Sequence, residues 1–138
     1  MDLKLELILL PVSDVDRAKA FYADNAGFNV DVDHSAGEDF RIVQLTPPGS
    51  ACSVTIMKND QTPGSVQGLH LVVTDIDEAR DALVARGVKV SEPFHFTESG
   101  QTPGHDPERR DYGTFAAFSD PDGNGWVLQE VRNTNERS

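Results

Sequence analysis

Apolar and polar positions alternate along this chain in two matching passages. Leu5 to Val12 is an apolar run that stops at Ser13-Asp14-Val15-Asp16, and Leu69 to Val73 is another that stops at Thr74-Asp75-Ile76-Asp77. Each run reads as a strand and each stop as the start of a helix. Ser13 and Thr74 are the predicted N-caps, and Asp16 and Asp77, three residues on, supply the acidic partner that favours the positive helix end. Val15, Ala18, Phe21 and Tyr22, and in the second passage Ile76, Ala79, Ala82 and Leu83, recur at three- and four-residue steps and predict one apolar stripe per helix. Gly27 and Gly87 read as left-handed helix stops. Extended segments are predicted to follow at Phe28 to Asp33, Phe40 to Thr46 and Ala51 to Lys58, and again at Val88 to Phe94, Thr114 to Ser119 and Trp126 to Val131.

The two passages are copies. Val12 to Lys19 and Val73 to Arg80 align at an offset of 61 positions, with four identities and three close replacements in eight. Each copy reads βαβββ and is too small to bury its apolar face alone. At 138 residues the chain is therefore expected to be one α+β domain of two modules, about 3–60 and 66–133. Asn59 to Ser65 is the expected linker, and Asn133 to Ser138 a polar tail expected to fray. Leu7-Ile8-Leu9-Leu10 is apolar on both faces. That predicts a strand covered by a helix on one side and by the interior of a curved mixed sheet, with a concave cavity, on the other. The copies differ between their second and third strands. His34 to Asp39 reads as a turn, whereas Thr97 to Gly113 is long enough to be either a lid over a site or a solvated loop.

Charge narrows the partners. Asp and Glu number 23 against 12 Lys and Arg, a formal charge of −11, so nucleic acid and anionic membranes are not expected partners. No run of eighteen apolar residues occurs, and Met1-Asp2-Leu3-Lys4-Leu5-Glu6 does not read as a signal peptide. The single Cys52 allows no internal disulfide and fits a reducing, cytoplasmic setting.

The doubled βαβββ pattern resembles the vicinal oxygen chelate superfamily, as do Val-Ser-Asp-Val-Asp-Arg-Ala-Lys-Ala-Phe-Tyr in the first half and Ser-Asp-Pro-Asp-Gly-Asn-Gly-Trp in the second. That superfamily holds glyoxalases, bleomycin-resistance proteins, methylmalonyl-CoA epimerases and extradiol dioxygenases. The resemblance implies the glyoxalase/bleomycin-resistance fold, with helices outside a cavity, and pairing as a homodimer. It also implies a four-ligand divalent metal site in the metal-dependent members. Carried over position by position, those ligands fall on Leu7, Gly68, Val127 and a residue near Thr55. At best one neutral hydroxyl is present, so no metal and no other cofactor is expected; a divalent metal held by atypical ligands is the alternative.

On a strand, every second residue shares a face, so His70 is expected to point where Gly68 would, together with Leu7, Leu9, Thr55, Met57, Val127 and Gln129. The same rule sends Glu130 to the opposite face. His70 is a candidate general acid or base, a ligand anchor, or a core histidine. In the long segment, Arg109 and Arg110 are candidates to grip an anionic group of a ligand, with local pairing to Asp106, Glu108 and Asp111 as the other use, and Tyr112 is the candidate lid residue. Asp120-Pro121-Asp122-Gly123 reads as a turn rather than a calcium loop. These features lead to a small-molecule binding protein with a metal-free cavity. The second expectation is a glyoxalase-type small-molecule lyase or isomerase that uses His70 as acid or base, or an atypical metal site.

Overall fold

A computed structural model describes residues 1–133, so of the polar tail only Asn133 falls within the described residues. The chain forms two compact units. The first comprises residues 1–67 together with 119–124, and the second comprises residues 68–118 and those from 125 onward.

In the first unit, β1 (Leu7–Pro11) leads into α1 (Val15–Ala20), which continues as a single π turn at Phe21–Asn25, then β2 (Asn29–Ala36), β3 (Phe40–Thr46) and β4 (Ser53–Met57). The strands lie in the order β1-β4-β3-β2, with β1 and β4 parallel and the other pairs antiparallel. Leu10, Val43, Leu45, Val54 and Ile56 are buried together with Ala18 and Tyr22 of the helical segment, as a one-sided sheet under a helix requires. Full burial of each large aliphatic side chain contributes about 1.5–3 kcal/mol. Gly27 has a φ of 79°, as a left-handed helix stop should.

Two local expectations shift. The helix caps are Asp14 and Asp75, one residue later than Ser13 and Thr74; Asp14 accepts from the Arg17 N–H, and Asp75 from those of Asp77 and Glu78. Ser13 is engaged elsewhere, since its N–H and hydroxyl both donate to the Asp122 carboxylate, at 3.1 and 2.5 Å. His34 lies inside β2, which runs on to Ala36, and not in a turn.

The turn at residues 119–124 is part of the first unit. Asp120 Oδ1 accepts the N–H groups of Asp122, Gly123 and Asn124, which closes the turn, while Oδ2 accepts the Tyr22 hydroxyl at 2.7 Å and the Asn124 side-chain amide at 2.8 Å. Asn124 also donates to the Pro11 carbonyl and accepts from the Val66 N–H. The turn reading of Asp120 to Gly123 is therefore correct, and its carboxylates are spent on protein donors.

In the second unit, β5 (Leu69–Val73), α2 (Ile76–Ala85), β6 (Phe94–Thr97), β7 (Gly100–Pro103), β8 (Phe115–Ser119) and β9 (Gly125–Glu130) give the order β5-β9-β8-β6-β7. β5 and β9 pair in parallel, His70 opposite Val127 and Val72 opposite Gln129. Ala82, expected on the apolar stripe, is exposed; Ile76 is buried and Leu83 half-buried. The strand expected from Val88 forms only at Phe94, because the Arg80 guanidinium takes the carbonyls of Val90 and Ser91 that a ladder would use. The long segment is not one loop either. Its first part is the β6–β7 hairpin, an additional edge strand that the first unit lacks.

Candidate functional site: an aromatic face on the second unit

The strand rule places His70, Val72, Val127 and Gln129 on the face of the second sheet turned away from the buried Trp126, Leu128 and Glu130. Phe115 and Ala117 of β8 and Phe94 and Phe96 of β6 alternate with the buried Ala116, Phe118 and His95, and Phe94 lies directly opposite Phe115. Three rings gather there: Phe94 stacks on Phe115 at 5.8 Å, and Phe96 stands edge-on to both, at 5.8 and 5.3 Å. Phe96 is 58% exposed and Val72 59%. The His70 ring meets Phe115 edge-on at 6.3 Å between centroids. β9 lies between their strands, a backbone span of about 10 Å, so the side chains converge as they do on the concave side of a curled sheet.

His70 Nδ1 is 2.7 Å from the Gly68 carbonyl oxygen, which can only accept, so Nδ1 carries the proton of that hydrogen bond. In the neutral ring Nε2 is then a lone-pair acceptor. Gln129 donates its amide to the Tyr112 carbonyl, which leaves Oε1 as its other polar end. The strand rule applied to the sequence puts His70, Val127 and Gln129 on this face, and Phe94, Phe96 and Phe115, which share it, are not among the sequence candidates. The alternation Phe-His-Phe across residues 94–96 was the available signal for a strand with an aromatic face.

Two uses are expected of Arg109 and Arg110, an anion grip or pairing with nearby carboxylates, and both side chains are engaged in ion pairs within the chain. The Arg109 guanidinium forms a two-pronged bond to the fully buried Glu130 carboxylate at 2.9 and 2.8 Å, and Glu130 also accepts the Ile76 N–H at the start of α2. Arg110 pairs with buried Asp106 in the same forked way, at 2.9 and 3.0 Å. Tyr112 is pinned through its backbone, its N–H to the Glu130 carbonyl and its carbonyl to Gln129. Arg109 and Tyr112 both adopt positive φ, 48° and 67°, held by these bonds. Residues 106–113 are thus a tied-down strap, neither a solvated loop nor a free lid.

These contacts set the acid response. Burial pushes the Glu130 carboxyl up, but the Arg109 and Ile76 hydrogen bonds outweigh it and the net direction is down. Arg110 holds Asp106, and in the first unit Arg41 and Lys19 hold Asp33, well below the usual carboxylate range. All three therefore bind protons more weakly folded than unfolded, so their stabilisation is complete above the ordinary carboxylate range and disappears as pH falls through the lowered values. We expect Tm to be flat above about pH 5 and to fall steadily below about pH 4. Scanning calorimetry across that range checks this, and a Tm that rises on acidification contradicts it.

In the first unit, the open face carries Leu7, Leu9, Thr55 and Met57, with Val32, Gln44, Thr55 and Leu9 forming one row across the four strands. Leu9 is 50% exposed and borders a shallow hollow of about 410 Å³ with Pro11, Asn59 and Val66. Beside that row, Thr46 bonds to both Asp31 and Ser53. The Thr55 hydroxyl is buried and has no hydrogen-bond partner among the described residues. The metal positions implied by the family pattern do not fit a divalent cation, because Leu7, Gly68 and Val127 carry no donor atom in their side chains and Thr55 offers only this hydroxyl. Among the described residues, no group of three or more His, Cys, Asp or Glu side chains is placed to hold a metal, and no helix is long and apolar enough to cross a membrane.

A curling sheet in each βαβββ-type module with an open face is the architecture of one known superfamily. Residues 4–128 match the family model of the Glyoxalase/Bleomycin resistance protein/Dioxygenase superfamily, and the chain belongs to it. It is similar to TnmS3, an antibiotic binding protein from Streptomyces sp. CB03234, with 32% identity, a TM-score of 0.74, and coverage of 94% of this chain and 97% of that one. A glyoxalase/bleomycin resistance protein from the same Streptomyces is 34% identical at a TM-score of 0.70, covering 92% of this chain and all of that one. An uncharacterised Bacillus subtilis protein, YetH, is 26% identical over 86% of this chain and 91% of its own length.

Proposed function

We propose that this protein binds a small, flat organic molecule against the aromatic face of its second unit and holds it unchanged, without a metal. The observation that carries this reading is the Phe94, Phe96 and Phe115 cluster, set on a concave sheet face with Phe96 largely exposed. Exposed aromatic surface is costly for a chain to keep in water, and an apolar hollow with a few polar points is the usual form of a small-molecule site. The likeness to an antibiotic binding protein supports the same reading. Leu7, Leu9, Thr55 and Met57 are the corresponding contact candidates on the first unit. We place the protein in the cytoplasm and assign it a homodimeric state, which light scattering tests directly.

The test is a thermal-shift screen with planar polycyclic antibiotics and simple polycyclic aromatics, with and without added divalent metal. A saturating compound should raise Tm by several degrees with no metal requirement. Phe96→Ala, which removes a largely exposed ring, should weaken binding about three- to tenfold while lowering the stability of the free protein by no more than about 1 kcal/mol. A screen in which no flat aromatic shifts Tm, or a Phe96→Ala protein that binds as well as the original, overturns the proposal. A lyase or isomerase reading has one observation in its favour, the His70 imidazole with Nδ1–H tied to Gly68 and Nε2 left as a base. Conversion of the bound compound, abolished in His70→Ala, would select it.

A further inference from the structure

We infer that the site selects flat aromatics carrying a hydrogen-bond donor at the ring edge, a phenol or an aromatic amine, over those carrying a carboxylate or phosphate. This rests on the reading of the aromatic face as the binding surface. The inference comes from the two polar side chains on the His70 side of the ring cluster, His70 and Gln129, which present acceptors there; Gln101, opposite Phe96 on β7, is a further polar side chain of that face and stands at its far edge. His70 Nε2, freed by the Nδ1–H bond to Gly68, has no hydrogen-bond partner among the described residues. Gln129 gives one N–H of its amide to the Tyr112 carbonyl, which fixes the amide orientation and presents Oε1 on the opposite side.

His70 and Gln129 stand on neighbouring parallel strands, on the same face and one step apart in register, so both acceptors lie along one side of the ring cluster. The two guanidinium groups of the strap that would grip an anion are occupied: Arg109 is bound to Glu130, and Arg110 to Asp106. With a net charge of −11, the protein's field also opposes anion approach. An aromatic hydroxyl is a strong donor of the right size. Stacked on Phe96, a ring would bring such a group to the His70 side of the cluster, where Phe115 already contacts the imidazole edge.

Three probes with one ring system separate the possibilities: 2-naphthol, 2-methoxynaphthalene and 2-naphthoate, titrated by calorimetry or ligand-observed NMR. We expect 2-naphthol to bind about tenfold more tightly than 2-methoxynaphthalene, the worth of one neutral hydrogen bond to an otherwise unpaired acceptor. 2-Naphthoate should be the weakest. In His70→Phe, which keeps the ring contact and removes the acceptor, the preference should drop to threefold or less while 2-methoxynaphthalene affinity holds. Equal binding of 2-naphthol and 2-methoxynaphthalene, or a preference unchanged in His70→Phe, overturns the inference and leaves the aromatic face standing. If none of the three binds, the aromatic-face reading falls and this inference with it.

Discussion

Replacing Asp120 with alanine is expected to cost about 3–5 kcal/mol of folding stability. One carboxylate accepts five hydrogen bonds: three turn N–H groups on Oδ1, and the Tyr22 hydroxyl and Asn124 amide on Oδ2. Tyr22 and Asn124 are fully buried, so alanine strands their donors away from water. Asp120→Asn is the informative companion. It keeps the shape and one acceptor but gives the other side an NH₂ that faces donors, so it should recover less than half of the loss. Urea titration of both variants measures the effect, and a cost below about 1 kcal/mol for Asp120→Ala would mean that water replaces the network freely.

The second large effect is expected at Arg109, where alanine should destabilise by about 3 kcal/mol at neutral pH and Glu130→Gln by clearly less. The asymmetry follows from burial. Removing Arg109 leaves a fully buried carboxylate with only the Ile76 N–H to meet it, whereas Glu130→Gln leaves Arg109, a third of whose side chain is exposed, able to turn to solvent. In Arg109→Ala the burial that raises the Glu130 carboxyl is no longer outweighed. Its pKa then lies above the unfolded value, and part of the lost stability should return as pH is lowered toward about 5. Denaturation of Arg109→Ala at pH values of about 7.5 and 5.5 tests the sign. A deficit that grows on acidification would show that Glu130 is not the group left unpaired.

What could be read in advance followed from local chemistry. The doubled Val-x-Asp passages place both helices, the period of two puts His70, Val127 and Gln129 on one face and Glu130 on the other, and Gly27 and Gly87 end the helices with positive φ. What could not be read depended on partners far along the chain. Ser13 loses its capping role because Asp122, 109 residues away, takes its hydroxyl. Val88 to Pro93 forms no regular ladder: Arg80 takes the Val90 and Ser91 carbonyls, and Ser91 meets Ala117 of β8 through its N–H and its hydroxyl instead. Arg109 carries the right chemistry for an anion, yet Glu130, 21 residues on, reaches it first. The aromatic face was legible in composition but not in position, since Phe94 and Phe115 meet only through β6–β8 pairing.

The seating of residues 119–124 in the first unit has a consequence for how the chain matures. Tyr22, Ser13 and Arg17 each bond to Asp120 or Asp122, so the opening βαβββ module lacks these contacts while it emerges from the ribosome. It must wait, partly assembled, until residue 124 has been made, and closing so large a span slows that final step. Between those moments the Tyr22 hydroxyl is left without the carboxylate that accepts it in the finished fold.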